Sequence, residues 1–331
     1  MKQLSAICVF IFLFFQSTSA QNGSALHFDG TNDEVNCGNG TEVQVSGTTI
    51  TLEAVVKIHA FETNVWEGNI INKEQGGPGT DYGYMLRVGA NGTVNFNLGS
   101  GSWNEVNTPA NTLSLDTWYH LAATFDGTDM KIFVDGVEIV SQSVNGLFIG
   151  NSSSNLVIGN WANGTGRNIN ATIDEIRIWD IARTETELLN SSASSLELPQ
   201  TGLRVYYKFN QGMANEDNAA ENTLTDELGA VTGDLLNFAL SGTESNWVGD
   251  SALSLTEATL NSILMYPNPV NETLFLQGLT ENDTYEIISI DGKLILEGTI
   301  KFDSGITVKH LNKGIYLLKI GDAFVQRFIK S

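Results

Sequence analysis

The sequence predicts an all-β protein: an antiparallel jelly-roll β-sandwich followed by a small immunoglobulin-like β-sandwich. Three observations carry that expectation. Apolar and polar residues alternate through much of the 331-residue chain, the pattern of strands with one buried face. The alternating runs are short and are separated by turn dipeptides, among them Asn91-Gly92, Asp126-Gly127, Asp135-Gly136 and Asn163-Gly164, which suit the positive backbone dihedrals of hairpins. Only one stretch carries helical signals, so a sandwich is expected rather than alternating strand and helix.

The first segment, residues 1–20, is not part of either sandwich. Lys2, an apolar run from about Leu4 to Phe15 and small residues ending at Ala20 make a secretory signal peptide. No later stretch approaches the roughly 20 apolar residues of a membrane helix, so the mature chain is expected to be exported and not inserted in a membrane. Its removal takes Cys8 away and leaves Cys37 alone, which excludes an internal disulfide and predicts a buried, inert thiol.

Residues 21–212 hold the larger sandwich. In TITLEAVVKI, residues Ile50, Leu52, Ala54, Val56 and Ile58 share one face, opposite Thr51, Glu53, Val55 and Lys57. Further strands are DYGYMLRV, GTVNFNLG, WYHLAATF, MKIFVDGVEIV, NLVIGN and ATIDEIRIWD. Next comes a short helix from Ala182 to Ser192, with Thr184 as N-cap and Glu187 completing a capping box. Val205, Tyr207 and Phe209 then alternate in another strand of the same sandwich. Residues 213–261 are polar and rich in Ala, Asn and Thr, and are expected to be mostly loop and linker or a sandwich-closing extension. Two of the five prolines, Pro267 and Pro269, cannot donate to a β-ladder and are read as the boundary of the second sandwich, residues 262–331, which has about seven short strands.

Charge separates the two units. From Gln21 to Asn261 there are nine Lys/Arg against thirty Asp/Glu, whereas Ser262 to Ser331 has seven against eight. An acidic surface repels phosphates and anionic lipid, so nucleic acid is not an expected partner; divalent cations and neutral ligands are compatible with it.

Two resemblances sharpen the reading. YPNPVNETLFL, IISIDGKLILEG, LNKGIYLLKI and VQRFIKS, in that order, resemble the type A C-terminal sorting domain of the type IX secretion system. The resemblance implies passage through periplasm and outer membrane, with the secretion machinery as partner of residues 262–331 and a secreted or cell-surface product. LHFDGTNDEVNCG, TLEAVVKI, GYMLRV, WYHLAATFDGTDMKIFVDG, LVIGN and IDEIRIWDIARTETEL resemble the laminin-G-like jelly rolls of the concanavalin-A-like lectin and glucanase superfamily, with Val55 where that family commonly has tryptophan. YYKFNQG resembles a motif often found near the start of such domains, here placed after one.

Candidate sites follow from both lines of reasoning. Asp29 and Asp33 lie in a tight turn and Asp174 begins a late strand; first and last strands of a jelly roll can be neighbours, and related domains often hold a structural calcium there, an ion that takes six to eight oxygen ligands. The plainer alternative is an Asx-turn at Asp29. Trp66, Trp103 and Trp161 stand in polar, loop-like sequence, where indole faces and nearby amides suit sugar rings; Trp118 and Trp179, inside strands, read as core. Catalysis is not expected. Laminarinase-type relatives place two carboxylates on one strand, whereas IDEIRIWD presents no such pair. His120 reads as structural, and no zinc or phosphate-loop spacing occurs. The asparagine sequons follow from turn composition.

The expected function is a non-enzymatic, exported or cell-surface module that recognises a polysaccharide or surface partner through loops of a calcium-stabilised jelly roll. The alternatives are a diverged glycoside hydrolase and a purely structural surface protein.

Overall fold

A computed structural model describes residues 24–164, 166–192, 194–249, 264–277, 283–289, 293–301, 305–320 and 324–331. Residues 1–20, the expected signal peptide, and the Asp291-Gly292 pair within the IISIDGKLILEG motif lie outside the described residues.

The larger unit comprises β1 (Ala25–Asp29), β2 (Glu34–Asn36), β3 (Ile50–Ala60), β4 (Asn69–Asn72), β5 (Asp81–Val88), β6 (Val94–Gly101), β7 (Trp103–Asn107) and β8 (Trp118–Phe125). It continues with β9 (Asp129–Val134), β10 (Val137–Ser143), β11 (Val157–Ile158), β12 (Asn170–Trp179), α1 (Glu185–Ser191), β13 (Leu203–Tyr207), β14 (Thr223–Leu224), β15 (Gly233–Leu236) and β16 (Trp247–Val248). One sheet runs β10-β9-β8-β3-β12-β1-β16, with β13 also on β12; the other runs β14-β15-β2-β11-β4-β5-β6-β7. Every pairing within them is antiparallel. This is the expected jelly-roll sandwich.

The period of two explains the core. Ile50, Leu52, Ala54, Val56 and Ile58 are fully buried and share one core with Leu86, Phe96, Leu98 and Val106 of the facing sheet. Each of these side chains except Ala54 contributes about 1.5–3 kcal/mol by leaving water. Cys37 is buried too, and burial pushes its thiol up to about 12. At Asp135-Gly136 both residues have positive φ, and the pair joins β9 to β10 as the hairpin reading requires.

The outer face of the first sheet is also covered. Thr184 caps α1 through the full capping box, and Leu188 packs on Ala122 and Phe133. Beneath this cover β12 departs from strict alternation. Asp174 pairs with Val55, yet Arg177 pairs with Glu53, and Glu175 has φ +50°, a β-bulge. Ile173, Ile176 and Ile178 therefore all join the main core, while Arg177 and Trp179 share the outer side with Glu53. Trp179 is buried as expected, but in a satellite cluster with Leu196, Leu203 and Tyr206. Trp118 corrects the reading as core: it is half-buried, with the Lys57 ammonium 5.5 Å above its ring.

Residues 213–248 extend the larger sandwich with short strands set in loop, the closing extension that was one of the two expectations, rather than a linker. They supply β14 and β15 to one sheet and β16 to the other, and Leu224, Val231, Leu235, Leu240 and Trp247 enter the main core. Strands of two to four residues are too short to show alternation.

The smaller unit has a three-stranded sheet of β17 (Leu264–Tyr266), β18 (Thr273–Gln277) and β21 (Gly305–Thr307). A four-stranded sheet is ordered β20 (Leu294–Ile300), β19 (Asp283–Ser289), β22 (Gly314–Ile320) and β23 (Phe324–Lys330). Val270, Leu274, Ile287, Ile306, Leu318 and Phe328 form its core. Pro267 and Pro269 connect β17 to β18, which are already paired. The prolines thus lie inside this unit rather than at its boundary.

Candidate functional site

The second sheet turns a polar row outward. Its inner positions are Leu86, Phe96 and Val106, and the alternate positions carry Asn72, Met85, Asn97 and Glu105 in one cross-strand row and Arg87, Asn95 and Asn107 in the next. Side-chain amides link these rows. Asn95 Nδ2 donates to Asn107 Oδ1 at 2.6 Å, Asn97 Nδ2 to Asn95 Oδ1 at 2.9 Å and to Glu105 Oε2 at 3.0 Å, and Asn107 Nδ2 to Glu105 Oε1 at 2.6 Å. Burial pushes the Glu105 carboxyl up, but these amides and the charge of Arg87 outweigh burial and hold it below the usual range.

Two loops roof one end of this face. Asn72 Oδ1 accepts from Ala162 N at 3.1 Å, and Asn69 Nδ2 donates to Arg167 O at 3.1 Å, which fastens residues 160–168 to β4. Arg87 Nη1 donates to Trp66 O at 2.7 Å and fastens the β3–β4 loop. The Arg167 guanidinium lies over both indoles, 4.9 Å from Trp66 and 4.3 Å from Trp161, and pairs with Glu74 Oε2 at 2.8 Å. Cation–π contact of this kind contributes about 0.5–2 kcal/mol. Trp66 remains 43% exposed.

Under this roof three buried polar atoms lack a protein partner: Arg87 Nε, Asn97 Oδ1 and Trp161 Nε1. Both partners of the Asn97 amide nitrogen are acceptors, which fixes its oxygen as the free end. Buried polar groups are almost always satisfied by protein, water or ligand. These are two N–H donors and one carbonyl acceptor, all enclosed, in the part of the molecule that the half-exposed Trp66 roofs.

The structure brings Trp66 and Trp161 together around Arg167. Trp103 belongs to β7 rather than a loop, on the same face as Glu105 and roughly 7 Å along the strand from it. Trp161 acts as a prop rather than a stacking platform, because Gly164 packs against its ring. Arg167, Asn97 and Arg87 were not singled out by the sequence. The alternation in VNFNLG marks Asn95 and Asn97 as outward-facing, but not that a loop about seventy residues later would roof them.

The three aspartate side chains do not converge on one point. Asp29 pairs across from Asn170, and Asp174 lies four residues further along β12, roughly 13 Å away. Asp29 Oδ1 accepts from Thr31 N at 2.7 Å, the Asx-turn alternative. Asp33 is buried, with Oδ2 accepting from Asp29 N and Oδ1 from Ser245 Oγ. Burial pushes its carboxyl up to about 6. The loop carbonyls of Asp29 and Thr31 accept from Asn170 and Asn168, and Asp174 Oδ1 from Glu175 N. Among the described residues no group of three or more His, Cys, Asp or Glu side chains is placed to hold a metal ion.

A second carboxylate group lies under α1. Glu53 Oε2 is 2.9 Å from His120 Nε2 and 3.3 Å from Arg177 Nη1, and its Oε1 accepts from Trp179 Nε1 at 2.6 Å. Glu175 Oε2 accepts from Arg177 Nη2 at 2.6 Å and from Tyr206 at 2.5 Å. Glu53, Glu175 and Arg177 have no exposed surface. Burial pushes the Glu53 carboxyl up, yet the His120 hydrogen bond and the charges of Arg177, His120 and Arg183 outweigh it and hold it at about 2. A general acid needs the opposite shift.

An antiparallel two-sheet sandwich with these connections defines the large unit as a lectin-like jelly roll. Residues 29–189 match the family described as the concanavalin A-like lectin/glucanases superfamily, and residues 264–330 match the secretion system C-terminal sorting domain. The chain thus carries a match to each of these two family models, one after the other. Pappalysin-1 of Mus musculus is 29% identical over 75 residues, and that of Homo sapiens 31%. The match covers 22% of this chain and 5% of each relative's length.

The solved structures similar to this chain include these three. A Bacteroides ovatus protein assigned a carbohydrate-binding role is 21% identical with a TM-score of 0.49, covering 65% of this chain and 58% of that one. A SAP-like pentraxin of Limulus polyphemus is 15% identical with a TM-score of 0.43, covering 66% and 98%. Domain 4 of an extracellular arabinanase from Geobacillus stearothermophilus, in complex with arabinotriose, is 20% identical with a TM-score of 0.39, covering 50% and 75%.

Proposed function

We propose that the sandwich of residues 24–249 is a glycan-binding module exported by the type IX route under the direction of the C-terminal sorting unit. A sugar ring stacks on the open face of Trp66, and hydroxyls engage Asn97 Oδ1, Arg87 Nε and Trp161 Nε1. One observation carries this reading: three buried polar atoms without a partner beside a half-exposed indole. Sugar hydroxyls both donate and accept, so one class of ligand satisfies all three. The family supports it, since lectins and glucanases share this fold.

Binding without turnover is the expected chemistry, because Glu53 and Glu175 are enclosed and neutralised by Arg177. The test is a glycan array of the module with calorimetry on its hits. Trp66→Ala and Asn97→Ala should each weaken binding at least tenfold; hits indifferent to both, or no hits, would sink the reading. Release of sugar fragments that Glu53→Gln or Glu175→Gln abolishes would replace it with the hydrolase alternative.

A further inference from the structure

We infer that the recognised chain is uncharged, and that uronic acids and sulfate esters are rejected at this face. The inference rests on the reading just given and adds the class of sugar. It follows from which charges at the site are already spent.

Both cations there are occupied. Arg87 is 4% exposed, with Nη1 on Trp66 O and Nη2 on the Met85 sulfur. Arg167 is paired with Glu74 and covered by two indoles. Carboxylates, by contrast, line the open side. Glu105 is exposed on the face itself and ionised. Glu67 adjoins Trp66 and holds the loop through Asn64 N, and its charge, after burial, raises the carboxyl of nearby Glu62. An incoming anion thus finds fixed negative charge and no free counter-ion among the described residues of this face, within a stretch, Gln21 to Asn261, whose thirty acidic residues outnumber nine basic ones.

The hydrogen-bonding complement agrees. Asn97 Oδ1 needs a donor. A hydroxyl supplies one and can also accept from Arg87 Nε or Trp161 Nε1, whereas an ionised carboxylate or sulfate only accepts. Placing such a group against Asn97 would bring two acceptors together and leave the carbonyl unsatisfied.

The experiment uses matched polysaccharides that differ only in charge: galactans with and without sulfate, and methyl-esterified against de-esterified polygalacturonate, alongside neutral glucans, xylans and mannans. The module should bind uncharged chains at least tenfold more tightly than charged counterparts. Glu105→Gln should narrow that gap from the charged side. Binding of a sulfated or uronic chain as tight as its neutral counterpart, and lost in Trp66→Ala, would overturn the inference while leaving the site intact. Absence of binding across the panel, or binding indifferent to Trp66→Ala, would overturn the underlying reading as well.

Discussion

Replacing Arg177 with leucine should be among the most damaging single changes in the large unit. Its guanidinium donates to Glu53 at 3.3 Å, Glu175 at 2.6 Å, Ser191 O at 3.0 Å and Ser194 O at 2.8 Å. Leucine would strand two enclosed carboxylates and release the segment after α1. Removing one member of a buried ion pair costs about 3–5 kcal/mol. The Glu53 carboxyl gives an independent magnitude: held at about 2 rather than 4.5, it contributes about 3 kcal/mol at neutral pH. A depressed carboxylate stabilises above its unfolded value, and that stability is lost as pH falls from about 4.5 towards 2. For a domain of this size each kcal/mol moves the melting midpoint by about 2–4 °C, so a fall of roughly 6–20 °C is expected at pH 7. Calorimetric melts of the module at pH 7 and pH 3 should show the gap between the two proteins narrowing in acid, where stranded carboxyls protonate. A combined Arg177→Leu, Glu53→Gln, Glu175→Gln variant should recover part of the loss. A midpoint unchanged at pH 7, or a gap that widens at pH 3, would refute the reasoning.

Two further outcomes are expected. Asp33 has a raised carboxyl, so it favours the folded state below about 4 and loses that advantage as pH rises through about 6; Asp33→Asn should flatten this part of the midpoint-against-pH profile, and parallel profiles for the two proteins would contradict it. Because Asp174 stands apart from Asp29 and Asp33, and all three are engaged within the protein, EDTA should leave the module's midpoint unchanged; a fall reversed by calcium would show an oxygen cage the described side chains do not form.

Much of the fold was legible because half-buried strands write their period into the sequence. Ile50 to Ile58 and the capping box at Thr184 are examples, each decided by neighbours along the chain. The bulge at Glu175 was not legible: Ile176 and Ile178 alternate as they would in a regular strand, and only pairing with β3 shows that Asp174 and Arg177 face the same side. The site was half legible. An indole in polar sequence identified Trp66 and Trp161, but Arg167 gains its role from Glu74, Asn69 and two rings brought together by tertiary folding. Register was not legible either, since two strands can be neighbours while particular residues on them, Asp29 and Asp174, stand four positions apart.

The pairing of β1 with β16 sets Ala25 opposite Val248. Entry and exit of the module are therefore side by side in one layer, while Trp66 looks out from the other. On the proposed reading, anchorage at either of these neighbouring termini of the module leaves the glycan-facing layer clear.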